Sequence, residues 1–216
     1  MRRILNILFI ITMFLNGCKS KQEHFFYESS QSKIMSTTDN DTLTCDEINL
    51  LRNGDIIMRQ GRGAISLTIS ARLNEKYKLS HCGILNIEND SINVIHTLSL
   101  SVSNTNGMQQ AKLSEFVDDT YKNSIIVVRL KNSDNNKIAD KAKYYLSQKI
   151  PFDDDFNFAD TSKFFCNELI SHILAVECNT NLIDATAAET QNLSFGRFID
   201  TTKFDIIINH QSFDKQ

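Results

Sequence analysis

The chain has 216 residues, of which 41% are hydrophobic and 23% charged, and it carries a net charge of −3. That length supports one domain with a proper core, or at most two small ones, and the composition is that of an ordinary globular protein. The acidic balance and the lack of any basic run exclude nucleic acid as a partner.

The first element is an export signal. Met1-Arg2-Arg3 is a basic opening, and Ile4 to Leu15 is an apolar stretch of secretory length, too short to span a bilayer. It runs into Leu15-Asn16-Gly17-Cys18, which resembles a bacterial lipobox. Residues 1–18 are therefore expected to be a lipoprotein signal peptide, with Cys18 as the lipidated N-terminus after cleavage. Several acyl chains anchor a protein stably where one is marginal. Lys19 follows the cysteine, so the acidic residue associated with inner-membrane retention is missing. The expected location is the cell envelope, on the outer membrane where the host has one. Residues 19–44 are polar and lack periodicity, which predicts a tether to a globular domain over residues 45–216.

Within that domain, Asp46 to Leu51 reads as a helical turn, and Asn53-Gly54-Asp55 turns the chain into a short strand, Ile56 to Arg59. Ile65, Ile69 and Leu73 recur at helical intervals over residues 63–74. Two strands follow, Leu79 to Ile87 and Ile92 to Leu98, joined through Glu88-Asn89-Asp90-Ser91. An even connection pairs Ile87 with Ile92 and Leu85 with Val94. Residues two apart on a strand share a face, so His81, Gly83, Leu85, Val94 and His96 lie together on what is taken as the core side. Cys82 points away from them. His81 and His96 are then diagonal neighbours within reach of each other, a relation that an odd-length turn destroys.

Leu113 to Val117 predicts a helical turn, Ile125 to Val128 a strand buried on both faces, and Ile138 to Leu146 a helix. Pro151 to Phe156 is an acidic, aromatic turn. A helix opens at Cys166 and runs to about Val176, with Cys166, Leu169, Ile170, Ile173 and Leu174 on one stripe. Phe204 to Ile208 is the last strand. Helices and strands mix without a βαβ repeat, so the expected class is α+β, an antiparallel sheet or small barrel packed on the helix that carries the cysteine.

Apart from Cys18, the cysteines are Cys45, Cys82, Cys166 and Cys178, an even number that leaves disulfides open in an oxidising compartment. A cysteine on a buried stripe needs no function to sit there. Cys166, however, stands in the first turn of its helix, where unsatisfied N–H groups favour a thiolate, and a histidine reaching it makes a nucleophile–base pair. No pair among His81, His96, Cys166 and Cys178 has the tight spacing of a structural zinc site, so no metal and no cofactor are expected.

Several segments together, over roughly residues 50–175, resemble the YiiX/YaeF-like branch of the NlpC-type cysteine hydrolases, the circularly permuted papain-like enzymes. They are Asn53-Gly54-Asp55-Ile56-Ile57-Met58-Arg59, Leu79-Ser80-His81-Cys82-Gly83-Ile84, Val94-Ile95-His96, Ile150-Pro151-Phe152-Asp153 and Phe165-Cys166-Asn167-Glu168-Leu169. The resemblance implies a permuted papain-like fold with Cys166 as nucleophile, His81 as base and His96 as the group that orients it. It also implies Asp55, Phe165 and Glu168 as substrate-facing residues, Glu168 being structural in the alternative. The chain departs from the family in having His96 where Glu is frequent, and Phe152 and Phe165 where tyrosines are common. The implied activity is that of a cysteine peptidase or amidase, with cell-wall peptide as the default substrate. Lipid or acyl-amide chemistry on the same fold and a non-enzymatic binding lipoprotein are the alternatives.

Overall fold

The computed structural model describes residues 41–184 and 192–211. Among these, five α-helices and six strands form an α+β domain: α1 (Cys45–Leu50), β1 (Ile56–Arg59), α2 (Ala64–Leu73), β2 (His81–Glu88), β3 (Ser91–Leu98), β4 (Gly107–Lys112), α3 (Leu113–Asp118), β5 (Ile126–Leu130), α4 (Asn135–Ser147), α5 (Cys166–Cys178) and β6 (Phe204–Asn209). The strands make one sheet in the order β4-β3-β2-β1-β5-β6, with every neighbouring pair antiparallel.

The hairpin has the expected register, Ile87 opposite Ile92 and Leu85 opposite Val94. Its turn is closed by Asn89 and Asp90, whose φ values of 48° and 62° are the left-handed pair that a two-residue connection needs. At the entry to β1, Gly54 has φ +79°, and a Cβ there would stand 1.9 Å from the Asn135 carbonyl oxygen, so only glycine fits.

Both faces of the sheet are covered, which differs from the single core side read from the strand pattern. On one face Ile56, Met58, Cys82, Ile84 and Ile95 pack against Ile170, Ile173 and Leu174 of α5 and against α4. On the other, Ile57, Leu85, Val94 and Val127 pack against Leu113, Phe116 and Val117 of α3. Alternation tells which residues share a face, but with apolar cover on both sides it cannot tell which face the cysteine helix takes. Each fully buried Ile or Leu at these contacts contributes about 1.5–3 kcal/mol.

Three further differences from the sequence expectation stand out. Gly107–Lys112 is a strand, although Gln109, Gln110 and Lys112 carry no strand signal; it sits at the sheet edge, where pairing with β3 overrides propensity. Helix α2 forms where predicted, but Ile65 and Leu67 are each 43% exposed, and the core takes only Leu73 from this helix. Residues 41–44 belong to the domain rather than to a tether. Asp41 accepts hydrogen bonds from the N–H groups of Ser124 (2.8 Å) and Ile125 (3.0 Å), Leu43 is buried, and the Thr44 side chain caps α1. The signal peptide, Cys18 and residues 19–40 of the expected tether lie outside the described residues.

Candidate active site

Helix α5 begins at Cys166 for local reasons. Phe165, at the N-cap, has no side-chain acceptor, so the first-turn N–H groups are not consumed by a cap. Glu168 folds back to accept the Phe165 N–H at 3.3 Å. The segment before the helix is tied to the sheet. The Thr97 hydroxyl donates to the Phe164 carbonyl (3.3 Å), Phe164 N–H donates to Pro151 and Asp153 N–H to Phe164. These bonds set the first turn of α5 against the start of β2.

There Cys166, a residue of intermediate exposure, meets the fully buried Cys82. Hydrogen bonding from the Cys82 side chain, together with N–H groups of Cys82, Asn167 and Cys166 itself, lowers the Cys166 pKa from its ordinary value, against the opposing effect of burial. Burial, followed by the partnership with Cys166, pushes the Cys82 thiol well above the ordinary range. The alternation that turns Cys82 away from His81 thus turns it toward Cys166. No described cysteine is in a disulfide.

His81 and His96 come together as expected, with His81 Nε2 2.9 Å from His96 Nδ1. They lie on the α3 side of the sheet, under Phe116, whose ring centroid is 5.6 Å from each imidazole. Gly83 makes the approach possible, since a Cβ there would stand 2.4 Å from Val94 Cγ1 and 3.2 Å from His96 Cβ. Arg59, opposite His81 in the sheet, lies 4.5 Å over the same Phe116 ring and is paired to Asp119 at 2.7 Å. Burial, then the Arg59 charge, lowers the His96 pKa to about 3; burial, then His96 and Arg59, lowers that of His81 well below the ordinary range. Both rings are held neutral.

The sequence placed α5 on the histidine face. The structure places it on the Cys82 face, so the thiol and the imidazole approach the start of β2 from its two sides. They still converge on one peptide, because the N–H that reaches the Cys166 sulfur is that of Cys82, the residue after His81. The bonded partner of the His81 ring is His96, not Cys166.

The three residues expected to face substrate are built into the domain. Asp55 is fully buried and holds Arg129 with two 2.7 Å contacts, while also accepting the Arg52 N–H. Glu168 is buried, and burial raises its pKa to about 8. Phe165 is buried beneath Phe156 and Phe158, at ring distances of 5.1 and 5.0 Å. Buried partners of this kind explain structural roles and leave no polar group of Asp55 for a ligand. The residues missed by the sequence reading are Cys82, Arg59 and Phe116. The first two were within reach, since extending the hairpin to β1 sets Met58 against Cys82 and Arg59 against His81. Phe116 was not, because its contact with the histidines depends on how α3 folds over the sheet.

Among the described residues, no group of three His, Cys, Asp or Glu side chains is arranged to hold a metal ion. No protein-family model matches the chain, and no curated protein matches it. A solved structure does: the crystal structure of metalloprotein yiiX from Escherichia coli O157:H7, at 18% identity and a TM-score of 0.56, with the match covering 73% of this chain and 97% of that one. The chain therefore has a YiiX-like fold, an α+β domain built on a six-stranded antiparallel sheet.

Proposed function

We propose that the chain is a cysteine hydrolase of the permuted papain-like type, with Cys166 as nucleophile, His81 as base and His96 as the residue that orients His81. The observation that carries this reading is the meeting of Cys166 with the N–H of Cys82, one residue after a histidine whose Nε2 is already engaged by His96. His81 and Cys166 stand on opposite faces of β2, so proton transfer between them requires the His81 ring to turn toward the thiol. The Cys166 sulfur attacks a carbonyl carbon, and first-turn N–H groups of α5 hold the developing oxyanion. His81, neutral at rest, takes the thiol proton and gives it to the departing amine. Water then attacks the thioester with His81 again as base, releasing the acid and the free thiol.

The expected signal peptide and the acylation of Cys18 put this activity at the envelope membrane, which makes cell-wall peptide amides the default substrate. A second reading, hydrolysis or transfer of an acyl group on a lipid or amino-acid conjugate, is favoured by the Phe156 and Phe158 rings packed tilted and edge-on against Phe165, the residue before the nucleophile, with Phe156 42% exposed. Incubation with cell-wall muropeptides and, separately, with N-acyl amino acids tests both readings. The account expects cleavage of one class, a thioester adduct mapped to Cys166, and loss of turnover in Cys166→Ser. Turnover that survives Cys166→Ser contradicts it.

A further inference from the structure

Cys82 has no place in the hydrolytic steps, yet it is a fully buried thiol packed in the same apolar cluster as the proposed nucleophile, where the Thr97 hydroxyl holds the Phe164 carbonyl two residues before Cys166. We propose that Cys82 and Cys166 form a hydroperoxide-responsive dithiol, in which Cys166 is oxidised first and Cys82 then closes a disulfide that removes the nucleophile. The regulatory consequence rests on the hydrolase reading; the disulfide itself does not.

The geometry supplies each part. Cys166 is half-buried, while Cys82 is 0% exposed, so a small oxidant reaches Cys166 before Cys82. The side chains face each other because β2 alternation turns Cys82 toward α5 and α5 begins at Cys166. Both belong to one packed cluster, which favours an intramolecular partner over a thiol from solution. The positive charge of Arg197 acts on Cys82 and favours its deprotonated form as it attacks. The lowered Cys166 and raised Cys82 pKa values follow the usual division between a peroxidatic thiol and the thiol that resolves it.

In the first step the Cys166 thiolate attacks one oxygen of a hydroperoxide. An S–O bond forms, the O–O bond breaks, and the departing alkoxide takes a proton and leaves as an alcohol, or as water from hydrogen peroxide. Cys166 is then a sulfenic acid. The Cys82 sulfur next attacks the Cys166 sulfur, forming the S–S bond and breaking the S–O bond. The hydroxide departs with the Cys82 proton as water. Two electrons have passed from the thiol pair to the peroxide. An external dithiol returns them by exchange and leaves as its own disulfide.

The test treats the reduced full chain with hydrogen peroxide, alkylates the remaining thiols and maps every cysteine peptide by mass spectrometry. The expected result is a Cys82–Cys166 linked peptide, loss of Cys166 alkylation, and recovery of both thiols with dithiothreitol. In Cys82→Ala, Cys166 accumulates as sulfenic and then sulfinic acid; if that variant does not fold, the map of the unaltered chain decides alone. Sulfinic acid on Cys166 beside a reduced Cys82, a link from Cys166 to Cys45 or Cys178, or no oxidation of Cys166 would each overturn the proposal. None of these readouts needs a substrate. A failure of the hydrolase reading, seen as turnover surviving Cys166→Ser, is therefore distinguishable from a failure here.

Discussion

His81 Nε2 stands 2.9 Å from His96 Nδ1 beneath the ring of Phe116, so one imidazole fixes the orientation of the other, both buried beside Arg59. A neutral partner can hold a ring in place without the full charge that a carboxylate would bring. In the proposed enzyme His96 is thus a positioning residue, and its loss affects rate through the aim of His81.

His96→Ala is expected to lower turnover by about a hundredfold, within the range that a well-aimed base contributes. Substrate KM should change little. His96→Gln, which keeps a hydrogen-bonding group, should restore part of the loss. Steady-state kinetics of the two variants checks this, since a merely structural role would affect both in proportion to their stability.

The buried histidine pair also makes the fold sensitive to acid. His96 has a folded pKa of about 3 against an ordinary value of 6.5, and that of His81 is lowered in the same direction. A group with a depressed folded pKa contributes stability that is present above the unfolded value and lost as pH falls through the window to the folded one. Unfolding free energy should therefore fall below pH 6.5 at roughly 1.4 kcal/mol per pH unit for each histidine. Denaturant melts between pH 7 and 4 measure the slope, which His96→Gln should make shallower.

A third histidine works in the opposite sense. His210 bridges Asp41 through Nδ1 and Glu47 through Nε2, each at 2.8 Å. These contacts, the one to Asp41 first, raise its pKa to about 9. Its stabilisation is fully present below pH 6.5 and disappears as pH rises through about 9. His210→Ala should cost about 1–3 kcal/mol at pH 7 and much less at pH 10, as read from denaturant melts at the two values.

Asp55→Ala is expected to destabilise the domain by about 3–5 kcal/mol by stranding Arg129, which is largely buried. Differential scanning calorimetry measures the loss. A variant with unchanged stability and a raised KM would return Asp55 to the substrate site.

Much of this arrangement was legible in the residues because it is local. The β2–β3 hairpin follows from apolar alternation around Asn89-Asp90, and the His81–His96 contact follows from the hairpin register. The start of α5 at Cys166 follows from the Cys166, Leu169, Ile170, Ile173 and Leu174 stripe. What was not legible depends on tertiary placement. Nothing in β2 says which of two apolar faces α5 covers, so Cys82 was set aside although it shares an apolar cluster with Cys166. Likewise β4 is a strand only because β3 offers it an edge, and Asp55 looks like a site residue until Arg129 is seen beside it.

The most direct test of the central claim is the alkylation rate of each cysteine by iodoacetamide at pH 7, in the full chain and in His81→Ala, with folding checked by circular dichroism. The account predicts that Cys166 labels faster than Cys45, Cys82 and Cys178, and that His81→Ala slows Cys166 by at least about tenfold while the fold is kept. Labelling of Cys166 no faster than that of Cys82 or Cys178, or a rate indifferent to His81, would contradict it.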